Sequence, residues 1–263
     1  MSKYVAWVTQ ALFIISLLSG LIVVFVYYPS NAYDSVQKLS FITPFGLFFR
    51  ELHYFSSEIF IFSILVHILI ELSKKEIKIN FKSWIYSIFA LLVALVLMFT
   101  GFVLKADQSA NAAAEVAFSL LKDTPFLDKF LPLVRDNFVF YWKFFVWHGL
   151  FLPLIIEYAI LKHVRKLSVN ISYFTIALGV TLLVSLFLNL PRDIGLDEKV
   201  LHVKGPWFFW GAENMLQAGL SVLGINVVII LPFLLLIGMY KSNTKLLKIL
   251  LLLWVIIYAY FSV

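Results

Sequence analysis

The chain has no cysteine among its 263 residues. That absence excludes a disulfide framework, cysteine-ligated iron–sulfur clusters and covalently attached c-type haem, so any metal or cofactor is held through nitrogen or oxygen. Charge is also scarce: 14% of residues are Asp, Glu, Lys or Arg, against 62% hydrophobic. With a mean hydropathy of +0.95, no single soluble core hides so much apolar surface, and lipid is the solvent for most of the chain.

What is abundant is long apolar runs. Crossing ~30 Å of hydrocarbon takes ~20 helical residues. Seven runs reach that scale: Ala6–Tyr28, Phe49–Leu72, Trp84–Leu104, Phe138–Leu161, Ile171–Leu190, Gly219–Tyr240 and Leu246–Val263. The first exceeds the roughly 7–15 apolar residues of a signal peptide and no small-residue cleavage site follows it, so it is expected to be retained.

Lys and Arg collect in alternate connections. Lys74, Lys75, Lys78 and Lys82 follow the second run, Lys162, Arg165 and Lys166 the fourth, Lys241, Lys245 and Lys248 the sixth, and Lys3 precedes the first. The positive-inside rule makes this the cytoplasmic side, with the amino end inside and the carboxyl end outside. The formal net charge of +6 is then topogenic charge beside anionic lipid, and no nucleic-acid partner is implied. The other connections mix acids and bases. The longest, roughly Lys105 to Asn137, holds two weakly amphipathic stretches, Ala112–Leu121 and Leu127–Val134, broken by Thr124-Pro125, which predict short helices at the outer surface.

Five histidines occur, four of them in or at the ends of only two runs. Ionisable residues inside a membrane are costly and tend to be functional. His53 and His67 are 14 residues apart on one run, His148 and His163 15 apart on another. At 1.5 Å and 100° per residue, each pair spans ~21–23 Å of axis and returns to within about 40–60° of one face. The two runs are separated by one return helix and so are parallel, which lets His53 meet His148 near the outer side and His67 meet His163 near the inner side. Two stacked His–metal–His axes suit two haems, each iron closed by two imidazoles, whereas zinc requires three or four clustered ligands. His202 has no partner at such spacing and reads as a loop histidine. A lone intramembrane histidine is often a packing residue; four at matched spacing are not. Gly20, Gly46 and Gly101 are places where a flat macrocycle can approach backbone, or plain helix packing contacts. Arg50 and Lys143 stand at the outer edge, placed either to neutralise propionates or to anchor at the interface.

These residues resemble the cytochrome b/b6 family of quinol-oxidising bc-type complexes. The resemblance is carried by Ser19-Gly20-Leu21, Phe25-Val26-Tyr27-Tyr28-Pro29 and Ser35-Val36-Gln37, and by Gly46-Leu47-Phe48-Phe49-Arg50-Glu51-Leu52-His53 with its Gly-x-x-x-Arg-x-x-His pattern. It continues in Gly101-Phe102-Val103-Leu104 with Asp107-Gln108, in Thr124-Pro125-Phe126, and in His148-Gly149-Leu150-Phe151-Leu152-Pro153. The resemblance implies that His53 and His148 ligate an outer, low-potential haem and His67 and His163 an inner, high-potential one, with Arg50 and Lys143 meeting propionates. His202-Val203-Lys204-Gly205-Pro206-Trp207-Phe208-Phe209 resembles the companion subunit IV of b6-type complexes, here fused. The family writes Pro-Glu-Trp-Tyr there, its glutamate taking a proton from quinol, while this chain has Gly205-Pro206-Trp207-Phe208. Lys105 and Ala106 replace a Pro-Trp pair and Ala113 a usual glycine. Trp207, Phe208 and Glu213 are the candidates for an outer quinol site, Glu213 or Asp107 standing as substitute proton acceptor or as simple interfacial carboxylate.

The expectation is thus an all-α protein of about seven transmembrane helices, multi-pass in a prokaryotic cytoplasmic membrane: a haem-binding four-helix bundle over 1–166 and three C-terminal helices over 167–263. It binds two b haems and uses quinone as substrate. It works as an electron-transport subunit of a respiratory bc-type quinol oxidoreductase, in a dimeric complex with a Rieske iron–sulfur protein and a c-type cytochrome. The alternative is a dihaem anchor linking a dehydrogenase or hydrogenase module to the quinone pool. A non-redox scaffold or transporter is the third class.

Overall fold

In a computed structural model, the structure describes residues 2–74, 79–122, 139–164, 170–198, 204–242 and 244–263. Among these the only regular elements are helices: α1 Ser2–Val24, α2 Ala32–Phe41, α3 Gly46–Ser73, α4 Phe81–Val103, α5 Gln108–Lys122, α6 Phe140–Val164, α7 Ile171–Phe187, α8 Trp210–Gln217, α9 Val222–Lys241 and α10 Lys245–Phe261. Two 3-10 turns, Pro29–Asn31 and Trp207–Phe209, precede α2 and α8.

Five helices, α1, α3, α4, α6 and α9, are long and apolar enough to cross a membrane. The other two expected spans are shorter than the apolar runs suggested. α7 and α10 have 17 residues each, about 26 Å of helix against ~30 Å of hydrocarbon. α7 ends because Leu188 turns extended ahead of Asn189, Pro191 and Arg192, so the apolar residues up to Leu190 are not helical. α10 begins at the Thr244 cap, whose hydroxyl accepts from the Leu247 amide, and breaks after Phe261. The stretch Ala112–Leu121 is helical within α5; Thr124-Pro125, Leu127–Val134 and His202 lie outside the described residues.

The chain forms two compact units, Met1–Met98 with Phe145–Arg192, and Phe99–Phe144 with Asp193–Val263. This division follows packing, whereas the sequence division at residue 166 followed histidine content. In the first unit α1 packs along α3, and α7 packs against both. Leu12, Ile61, Ala94, Ile156 and Ala177 bring five helices to one apolar core. In the second unit α8, α9 and α10 pack together, α9 also meets α5, and the core is Leu120, Ala212, Met215 and Ile225. Gly46, at the start of α3, has its own packing reason: a Cβ there would run into the Leu39 carbonyl of α2, beside Phe45 in the left-handed region at φ 57°.

Candidate functional site: two imidazole pairs in the first unit

Within the first unit α3 and α6 bring the histidines together in twos. The rings of His53 and His148 lie 6.1 Å apart between centres and cross at 88°; those of His67 and His163 lie 6.3 Å apart and cross at 87°. Two imidazoles on opposite sides of one metal, each with a metal–nitrogen bond of ~2.0 Å and ~1.1 Å from nitrogen to ring centre, have centres about 6.2 Å apart. Both pairs stand at that separation.

Three of the four rings are oriented by backbone. His53 Nδ1 lies 2.9 Å from the Ser16 carbonyl, His148 Nδ1 3.1 Å from that of Leu97, and His163 Nδ1 3.0 Å from that of Ser83. A carbonyl only accepts, so each Nδ1 carries the proton and each Nε2 keeps its lone pair, the tautomer a metal needs. The oriented carbonyls are themselves fixed. Asn80 caps α4 by accepting from the Ser83 amide, and the Ser83 hydroxyl donates back to the His163 carbonyl. Among the described residues no cluster of three or more His, Asp or Glu side chains is placed to hold a bare metal ion. The donor set and spacing fit an iron whose other ligands come from a macrocycle.

The structure also explains a mismatch visible in the sequence. The histidines are 14 residues apart on α3 but 15 on α6. Residues Trp147–Phe151 of α6 form a π turn, which takes up about one extra residue. The longer spacing on α6 thereby matches the shorter one on α3, and both pairs stay in register. Gly149, open on all sides, and Pro153, which has no amide hydrogen, sit at this turn.

Gly20 faces the first pair. A Cβ built on it would lie 2.9 Å from His53 Cε1 and 3.1 Å from Nδ1, so any larger residue pushes the ring off the Ser16 carbonyl. Gly20→Val is expected to leave α1 helical yet to lower the haem content, read by haem extraction and quantification; unchanged haem content would refute the close approach. Gly101 is half-buried in the last turn of α4 and Lys143 half-buried in the first turns of α6. Arg50, one turn before His53, donates to the Ser40 hydroxyl at 2.7 Å, which ties α3 to α2.

In the second unit the residues around Gly205 form a knot. The Gly205 amide donates to both carboxylate oxygens of Glu213 at 3.1 Å, and its carbonyl accepts from Trp210 Nε1 at 2.6 Å. Lys204 lies over the Trp210 ring at 4.7 Å. Trp207 is exposed, while the Phe208 carbonyl accepts from Tyr258. Glu213 is buried, and burial raises its pKa above the usual carboxylate range against the opposing pull of the Gly205 amide and Lys204. An acid whose folded pKa is raised adds stability that is present below the unfolded value, near 4.5, and is lost as pH rises through the folded value. Thermal unfolding in detergent should therefore show the wild type losing stability over that window, with Glu213→Gln flat across it. Parallel curves would remove the buried-acid reading.

Asp107 does something different. It is fully buried, and one oxygen accepts from the Ser109 hydroxyl at 2.7 Å and the Ala110 amide at 2.8 Å. The other accepts from the Ile194 amide at 3.1 Å and pairs with Lys105 at 2.9 Å. With four donors in place it clamps Lys105 and the start of α5 to the segment around Ile194.

The model of the Cytochrome b/b6/petB family matches residues 4–170. The chain is 28% identical over 222 residues to cytochrome b of Theileria parva, covering 81% of this chain and 60% of that protein. It is 25% identical over 173 residues to cytochrome b6 of Heliomicrobium gestii, covering 62% and 80%, and 25% identical over 246 residues to the cytochrome bc complex cytochrome b subunit of Chlorobaculum thiosulfatiphilum, covering 78% and 57%. It thus spans about three fifths of the first and last of these relatives. The fold matches a chain of a hyperthermophilic respiratory Complex III with a TM-score of 0.72 at 17% identity, over all of this chain and 83% of that one. The chain belongs to the cytochrome b/b6 family, whose members are integral membrane proteins that bind haem b.

Proposed function

We propose that the chain is the dihaem cytochrome b subunit of a bc-type quinol oxidoreductase, passing electrons across the membrane between quinone chemistry and partner redox proteins. The observation that carries this reading is the pair of crossed imidazole couples at 6.1 and 6.3 Å, 14 and 15 residues apart on two membrane helices. On this reading His53 and His148 hold an outer haem, His67 and His163 an inner one, and each haem supplies one-electron redox chemistry when bound. Ser16, Leu97 and Ser83 hold the imidazoles in the ligating tautomer. The apolar side chains of α1, α3, α4 and α6 exclude water. Arg50 and Lys143 supply positive charge at the outer edge. Residues 1–166 carry this chemistry, and 167–263 correspond to a fused subunit IV-like domain. A Rieske iron–sulfur protein and a c-type cytochrome, in a dimeric assembly, are the expected partners, because in a standard member of the family they take the second electron of the quinol, and this chain, without cysteine, supplies neither centre.

A reduced-minus-oxidised spectrum with pyridine-haemochrome quantification tests this first. About two b haems per chain are expected; a haem-free purified protein would reject the reading. Pro206 in place of the family's motif glutamate favours a second reading, a dihaem anchor that feeds the quinone pool from the inner side only. Reduction of the haems by quinol that is blocked by an outer-site inhibitor would reject that second reading.

A further inference from the structure

α1 is apolar over most of its length, and three of its hydroxyls find partners on α1 itself or on α3. The Thr9 hydroxyl donates to the Val5 carbonyl and that of Ser19 to the Ile15 carbonyl, while Ser16 and Ser57 share a hydrogen bond at 2.7 Å. Gln10 differs. It is 9% exposed, and its carboxamide oxygen is buried with no hydrogen-bond partner. An acceptor left so keeps its full desolvation penalty, and hydrocarbon surroundings offer no water in compensation. The same side chain lines a cavity with Ala6, Phe60, Ile64, His67 and His163. The carboxamide thus shares one apolar cavity with both imidazoles of the second pair.

We propose that Gln10 is a positioning residue that tunes the redox potential of the inner haem, an inference that rests on the dihaem reading above. In a low-dielectric cavity a carbonyl oxygen acts strongly on nearby charge. Its negative end favours the more positively charged, oxidised state of an iron held between His67 and His163. Gln10 thus holds the inner potential below the value an all-apolar cavity would give. The carboxamide would be the wrong residue for packing alone, since leucine or methionine fills such a position in hydrocarbon without stranding a polar atom.

The test is a potentiometric titration of the purified protein, whose two one-electron components are assigned by which one His67→Leu with His163→Leu abolishes. Gln10→Leu should shift the reduced-to-oxidised ratio of the inner component upward at least about threefold at fixed potential, about 30 mV at 59 mV per decade for one electron. The outer component should stay in place. Gln10→Glu keeps an acceptor oxygen and should return the inner component to the wild-type position or below. An inner component unmoved by Gln10→Leu, or moved upward equally by leucine and glutamate, overturns the proposal while leaving the dihaem reading intact. A wild type without haem overturns both. Should Gln10→Leu not retain the inner haem, Gln10→Met against Gln10→Glu carries the same comparison.

Discussion

On the proposed dihaem reading, His148→Leu should reduce the haem content from about two to about one per chain, with one of two overlapping b-type absorption components lost and the other unchanged. His53→Leu should do the same, and the double variant should lose no more than either single one. That last result separates shared ligation from two independent structural effects, since residues acting on one centre are not additive. The mirror experiment with His67→Leu and His163→Leu should remove the other component. With crossed rings 6.1 Å apart between centres, one metal would bridge the gap, and neither ring could replace its partner. Leucine fills the space left by imidazole, so helix content by circular dichroism should be retained. If His148→Leu keeps both components, or if His53→Leu and His148→Leu remove different ones, the pairing across α3 and α6 is wrong.

Much of this is legible in the sequence. Apolar runs of about 20 residues mark membrane helices because lipid leaves a backbone no alternative partner, and histidines at helical spacing declare a shared face. The register of the two pairs was legible in part: 14 residues on one helix and 15 on the other is a mismatch that a π turn resolves, and the unequal spacing was its signal. The lone Gln10 in an apolar run was a further signal, though its orphaned oxygen shows only once α3, α4 and α6 surround it. Other features had no local trace. Gly46 is needed for its approach to the Leu39 carbonyl, a backbone contact that no side-chain pattern encodes. The lengths of α7 and α10 depend on where capping groups end a helix inside a longer apolar run. The clamp from Asp107 to Ile194 joins positions 87 residues apart, and periodicity carries no information across such a distance.

That clamp predicts the largest effect on stability. Asp107→Ala should lower the melting temperature in detergent by on the order of 10 °C, because breaking one side of a buried charge pair costs about 3–5 kcal/mol in comparable sites. The cause is specific. The carboxylate is fully buried and Lys105 only 16% exposed, so removal leaves Lys105 with the longer pairing to Asp193 at 3.8 Å and strands the Ala110 and Ile194 amides. α5 also loses its N-terminal cap, since the Ala110 amide is one that no helical carbonyl reaches. Lys105→Met should cost less than Asp107→Ala, because the carboxylate keeps three of its four donors. Equal melting temperatures for wild type and Asp107→Ala would mean that water replaces the carboxylate, and that α5 and the segment around Ile194 are not joined through this residue.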